Sequence, residues 1–204
     1  MSRRSGVTRE TVKRLILDAG VVYLGWGTTN QRILGASRGG SQITIESEFR
    51  DMEYDGTASL IEGSRRIIKT SASLTVNLVE INKDIIKIAI PGSEYGNAIP
   101  ATDLTTHPNS TPITGENYYE IKRALEKTIP DFSYENVAIC AEYSGTQSPI
   151  IFVLEKAMAN SNFELSFADA DESVLSITFT GFSDADNPEV EPWKILVPSK
   201  IPTV

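Results

Sequence analysis

Hydrophobic and polar residues alternate with a period of two over much of this chain, the signature of half-buried β-strands. From Ser41, Ile43, Ile45 and Phe49 take one side, while Gln42, Thr44, Glu46, Glu48 and Arg50 take the other. Ala72, Leu74, Val76 and Leu78 alternate with Ser73, Thr75 and Asn77. Val137, Ile139, Ala141 and Tyr143 alternate likewise, as do Phe163, Leu165 and Phe167, and then Leu175, Ile177 and Phe179. Ile150–Leu154 is a continuous apolar run behind Pro149, which predicts a strand buried on both faces. Val21–Leu24 and Arg32–Leu34 are shorter strand candidates ended by glycines.

One helix is expected, from Lys83 to Ile90. Asn82 is placed to cap it and Pro91-Gly92 to stop it, and Ile85, Ile86, Ile88 and Ala89 would cover an open sheet face. Between Phe49 and Ile67, the turn signals Asp55-Gly56 and Glu62-Gly63 predict an exposed hairpin or long loop over 49–67. Its charges are Arg50, Asp51, Glu53, Asp55, Glu62, Arg65 and Arg66. Residues 92–116 are polar and rich in Pro, Thr, Ser and Asn, which predicts a long loop. Residues 118–129 fit a helix face through Tyr118, Ile121, Leu125 and Ile129, or a strand beginning at Tyr119. Residues 1–19 are an arm or short helix, and 184–204 a proline-rich C-terminal arm.

These elements predict a mainly β chain: one domain over 1–204, a two-sheet β-sandwich or partial barrel with one short flanking α-helix. A length of 204 residues and a 40% hydrophobic content suit a globular domain. The strand faces over 42–48, 73–77, 164–166 and 176–180 are polar, with short Ser and Thr side chains and Glu as the charged type. Outer sheet faces usually mix long side chains of both signs. A wall lining a passage for a polyanion would have this composition. The candidates for such a wall are Gln42, Thr44, Glu46, Glu48, Ser73, Thr75, Asn77, Glu164, Ser166 and Thr178.

Charge and composition exclude several other functions. The net charge of −8 argues against a conventional nucleic-acid-binding module. The first fourteen residues nevertheless hold Arg3, Arg4, Arg9, Lys13 and Arg14 against Glu10 alone, while 160–192 is acidic and without Lys or Arg. A basic start and an acidic later half suit head-to-tail contact between copies, or are simply two solvated surfaces. Cys140 and His107 are the only residues of their types, so neither a disulfide nor a Cys/His zinc site is expected. His107 reads as a loop residue and Cys140 as a small hydrophobe. Asp169-Ala170-Asp171-Glu172 lacks the spacing of a calcium loop and reads as a solvated turn. No nucleotide-binding glycine motif, nucleophile elbow or metalloprotease motif occurs. Neither an enzyme nor a cofactor is expected. No apolar stretch is long enough to span a bilayer, and no secretory signal follows Arg3 and Arg4, so assembly in a cytoplasm is expected.

Several blocks in order resemble the major tail tube proteins of tailed bacteriophages. They are Leu17-Asp18-Ala19-Gly20-Val21-Val22-Tyr23, Leu34-Gly35-Ala36-Ser37-Arg38-Gly39-Gly40, and Glu53-Tyr54-Asp55-Gly56 followed by Ile61-Glu62-Gly63-Ser64-Arg65-Arg66. Leu74–Ile81, Tyr134–Ala138, Pro149–Leu154 and Val174–Thr180 continue the pattern, which covers residues 15 to 195. The resemblance implies a virion subunit that self-assembles into stacked hexameric rings. Each copy would lend strands to an inner barrel, and the hairpin and arms would reach neighbouring rings. The inter-ring candidates are Arg50, Asp51, Glu53, Asp55, Glu62, Arg65 and Arg66, with Arg3 and Arg4 of the arm. It also implies a tail tube through which DNA is ejected, with a tape measure protein and tail tip or terminator proteins as partners; a sheath is not implied, and a long, non-contractile tail is the preferred type. The alternative is a virion-associated β-sandwich module that binds a receptor or carbohydrate.

Overall fold

The computed structural model describes residues 7–8, 10–100, 117–123, 133–160, 162–167, 169 and 171–199. Ten strands and one helix follow in chain order: β1 Val21–Leu24, β2 Arg32–Ile33, β3 Ser37–Asp51, β4 Arg65–Leu78, α1 Lys83–Ala89, β5 Ser93–Pro100, β6 Asn117–Arg123, β7 Glu135–Glu142, β8 Pro149–Ala159, β9 Leu175–Thr180 and β10 Trp193–Leu196. Eight strands form one antiparallel sheet in the order β2-β1-β7-β8-β9-β4-β3, with β10 also on β8; β5 and β6 form a separate ribbon.

The sheet is folded on itself at β8. Ile151–Leu154 of this strand pair with both β7 and β10, whereas Met158 and Ala159 pair with β9. Between them the β7 pairing jumps from Leu154 to Ala157, and Lys156 takes φ +44°. A bulge of this kind turns a strand from one layer into the next. Asn136 Oδ1 accepts the Lys156 N–H at 3.1 Å, so the bent backbone keeps a partner.

The two layers share one core. Leu74, Val76 and Leu78 of β4 and Leu175, Ile177 and Phe179 of β9 meet Val22, Leu24, Val137, Phe152 and Leu154 from the other layer. In the centre of that second layer Ala138 and Val153 face each other and are also buried, so β8 is covered on both sides as its unbroken apolar run predicts. Helix α1 closes the open end. Asn82 Oδ1 accepts from the Asp84 and Ile85 N–H groups, both at 3.0 Å, and Ile85 and Ala89 are buried.

The mainly β, two-layered fold with one flanking helix matches the expectation of a two-sheet β-sandwich or partial barrel, and the barrel is not closed. Among the described residues β2 and β3 end the sheet and do not pair with each other. Three local expectations are corrected and one open alternative is resolved. The start of the polar stretch after Gly92 forms β5, because β6 supplies a partner that pattern alone cannot reveal. Of the two alternatives for 118–129 the strand is the one found, as Asn117–Arg123, while Leu125 and Ile129 lie outside the described residues. Residues 163–167 make one bridge, Leu165 to Leu175, in place of a strand. Trp193–Leu196 leaves the C-terminal arm to join β8. The N-terminal segment contains a single 3-10 turn, Val12–Arg14, and is tied down where Ile16 bridges Tyr143. Arg3, Arg4, Arg9, His107 and the rest of 101–116 lie outside the described residues.

Candidate assembly surface

The β3–β4 ribbon is longer than the core beneath it. Directly opposed residues in an antiparallel pair share a face. The register therefore assembles one polar face from Gln42 opposite Thr75, Thr44 opposite Ser73, and Glu46 opposite Ser71. β9 extends it with Thr178 opposite Thr75, Thr180 opposite Ser73 and Ser176 opposite Asn77. Thr75 and Thr178 join through their hydroxyls at 2.9 Å, and Asn77 Nδ2 donates to the Gly40 carbonyl at 3.4 Å. Seven of the wall candidates thus lie on one face: Gln42, Thr44, Glu46, Ser73, Thr75, Asn77 and Thr178. Glu48 continues the row but lies opposite Lys69, a base that the pattern over 73–77 does not reach. Glu164 and Ser166 flank the lone Leu165 bridge, exposed and outside any strand.

The opposite face of the ribbon is apolar apart from the Ser47–Thr70 pair, and among the described residues its outer half is largely exposed. Leu74 and Ala72 are fully buried, but their β3 partners Ile43 and Ile45 are exposed by 42% and 36%. Farther out, Phe49 lies opposite Ile67, and the register shift makes Ile68 an extra residue; all three are exposed. Among the described residues β3 pairs with β4 on one side only, which leaves its other edge without a strand partner.

The ribbon ends in a hairpin whose base is locked by charge. Arg65 Nε and Nη2 donate to the two oxygens of Asp51 at 2.7 and 2.9 Å, and the guanidinium lies 5.4 Å from the Phe49 ring centre. The Arg65 hydrogen bond holds the Asp51 carboxyl below its ordinary pKa. Arg66 Nη1 donates to the Gly63 carbonyl at 2.6 Å. At the tip, Glu53, Asp55 and Glu62 make no ion pair among the described residues. At the other end of β3, Arg38 pairs with both Asp171 and Glu172, and the Arg38 hydrogen bond lowers the Asp171 pKa. The acidic turn is thereby a clasp on β3, a contact with no signal in local sequence.

A cavity of about 490 Å³ lies under α1, among β1, β2, β7 and β8. Its polar groups are mutually engaged. Arg32 Nη2 reaches both Glu135 oxygens at 3.0–3.1 Å, Tyr95 donates to Asp84, and Ser93 Oγ donates to the Lys87 carbonyl at 2.9 Å. Burial, then the Asp84 contact, pushes the Tyr95 hydroxyl up to about 12. Among the described residues no cluster of three His, Cys, Asp or Glu could hold a metal, and no helix is long and apolar enough to cross a membrane.

No family model matches the sequence, and no curated protein matches it. Solved structures of tail-like particles align with it faintly. A chain from the tail of an empty gene transfer agent particle, refined with C6 symmetry, is 12% identical, with 81% of this chain and 92% of that one covered at a TM-score of 0.43. A chain from the anti-feeding prophage baseplate is 11% identical, covering 96% and 97% at 0.43. A chain from the sheath-tube complex of an extracellular contractile injection system is 9% identical, covering 95% and 100% at 0.48. Likeness this faint says nothing of what this chain does.

Proposed function

We propose that this chain is a structural subunit, not an enzyme, whose copies join edge to edge into the rings of a tail-like tube. The observation that carries the proposal is the 15-residue edge strand β3, which has no strand partner along one side among the described residues and bears exposed Ile43, Ile45 and Phe49. A long, apolar, uncovered edge is a liability in a monomer. Pairing it with a neighbouring copy satisfies the backbone groups and covers the apolar residues together. Such a contact joins unlike surfaces, and it closes into a ring when its rotation fits.

The polar face of β3, β4 and β9 would then line the lumen, with Glu46 and Glu48 as its acids, Lys69 opposite Glu48, and Arg50 opposite Arg66 at its outer end. A wall with so few bases neutralises few phosphates and releases few counterions, so a duplex would pass without being held tightly. The sequence resemblance supplies the finer reading: hexameric rings, a tape measure protein inside the tube during assembly, tail tip or terminator proteins at its ends, and DNA ejection as its use, with a long tail without a sheath as the preferred type. Trp26, packed 5.4 Å edge-to-face on Tyr23, and Trp193, packed on the core, form no aromatic binding patch. That weighs against a carbohydrate-binding module.

Negative-stain microscopy and sedimentation of the concentrated full chain test the proposal. Rings or hollow tubes are expected. The Ile43→Thr/Ile45→Thr variant should stay monomeric while keeping its fold. A wild-type chain that remains monomeric at high concentration would overturn the subunit reading in favour of a binding module.

A further inference from the structure

Two stretches of this chain alternate like paired strands yet lack a full set of strand partners among the described residues: β3 along one edge, and residues 162–167. We infer that residues 162–167 of one copy fold as a strand along the β3 edge of the next copy, a pairing that rests on the subunit reading and names the surface on which β3 is received.

Phe163, Leu165 and Phe167 alternate with Glu164 and Ser166, but the bridge of this stretch joins only Leu165 to Leu175. Leu165 packs on the core and Phe163 is 38% exposed. Phe167 is 83% exposed, more than any other large hydrophobic residue described. The stretch sits at the border of the polar-faced layer opposite to β3. The end of β8 lies along β9, with Met158 opposite Thr180 and Ala159 opposite Phe179, and the Asn160 N–H donates to the Thr178 carbonyl at 2.9 Å. Leu165 takes up the same line at Leu175. The chain advances five residues from Asn160 to Leu165 while β9 covers three from Thr178 to Leu175, so it bulges out and then returns to the edge.

Side chains and direction both suit β3. Opposed residues share a face, so Leu165 stands with Leu175 in the core row, and Phe163 and Phe167 of an extended segment stand with it. Beside β3 they would cover Ile43 and Ile45, while Glu164 and Ser166 would join the polar row of Gln42 and Thr44. Glu164 belongs opposite Gln42 or Thr44, because Glu46 or Glu48 would set two carboxylates directly across the ladder. Across this layer 162–167, β9, β4 and β3 each run antiparallel to the one before. With an even number of lines, 162–167 and β3 of one chain point in opposite directions. Copies related by rotation about a ring axis therefore bring them together antiparallel at every junction. A second ladder on its outer side would order the segment as a full strand, as when a peptide is added to a sheet edge.

Hydrogen–deuterium exchange of the full chain, read by mass spectrometry on the dilute single chain and on assembled rings, tests this. Amides of 162–167 and of β3 should slow together on assembly, by about tenfold or more. The variant Phe163→Ser/Phe167→Ser changes exposed side chains, so it should fold, and it should raise the concentration needed for rings by about tenfold. Rings in which β3 slows while 162–167 exchanges as in the single chain would overturn this pairing and leave the subunit reading standing. Assembly of the double variant at the wild-type concentration would do the same. A wild-type chain that never assembles would remove both readings.

Discussion

Ile43 on β3 and Leu74 on β4 are direct cross-strand partners on the same sheet face, yet Leu74 is fully buried and Ile43 is 42% exposed. The core ends between these two residues. Their substitutions should therefore separate stability from assembly. Leu74→Ala leaves a cavity beneath two layers and should cost about 2–5 kcal/mol in urea unfolding. Ile43→Thr keeps a β-branched side chain at a half-open edge and should cost under about 1 kcal/mol. Sedimentation should nonetheless show Ile43→Thr to be the more damaging change to self-association. Equal effects on stability would mean that β3 is already covered in the single chain.

The hairpin base should loosen in acid. The Asp51 pKa is depressed by its hydrogen bond to Arg65, so the pair's contribution is present above the unfolded Asp value of about 4 and is lost as pH falls through the folded value. The pair lies at the surface, with Asp51 half-buried and Arg65 exposed, so the effect is local and not a global unfolding. NMR titration of the Asp51 carboxyl carbon should show a midpoint below that of an unpaired aspartate. Amide exchange over 52–64 should quicken below that midpoint, and Asp51→Asn should abolish the pH dependence. An Asp51 midpoint at the ordinary value would remove this clasp.

Alkaline titration should report on the α1 contact with the β5–β6 ribbon. Tyr95 is raised to about 12 by burial first and by Asp84 second, and Lys83 and Lys87 lie 5.5 and 4.8 Å from its ring centre. The folded pKa is above the unfolded one, so this contact is whole below about pH 10 and is lost as pH rises toward 12. Phenolate absorbance should show one late tyrosine, absent in Tyr95→Phe. A Tyr95→Phe curve that overlays the wild type would mean that the ribbon is not held at this ring.

Strand existence was legible because Ala72–Leu78 and Leu175–Phe179 alternate cleanly over a shared core. The helix was legible because Asn82, the following isoleucines and Pro91 agree in position. Pairing was not. β5 reads as polar loop until β6 is placed beside it, and 163–167 alternates like a strand but finds only Leu175 for a partner. The polar face was visible as alternation in single strands; its continuity needed the register that puts Thr44, Ser73 and Thr180 in one row. Exposure misled for a physical reason. Ile43, Ile45 and Phe49 have the pattern of buried residues, and a pattern cannot tell burial by the same chain from burial by a neighbour.

The polar face itself yields the last prediction. Glu46 lies opposite Ser71 and Glu48 opposite Lys69, so reversing each charge has a different local consequence. Glu46→Lys meets a small hydroxyl and should fold at nearly wild-type stability. Glu48→Lys sets two ammonium groups directly across a ladder and should be the less stable by roughly 0.2–1 kcal/mol. In assembled tubes, each reversal adds one base per copy to the proposed lumen wall. A wall of bases should retain a short duplex by counterion release, with retention falling steeply as salt rises. The same duplex anchored to a bead too wide for a tube should not be retained, since only the interior has changed. Capture of the anchored duplex as well would put Glu46 on the outside of the assembly. Equal indifference of wild-type and Glu46→Lys tubes to free duplex would show that this face does not line the passage at all.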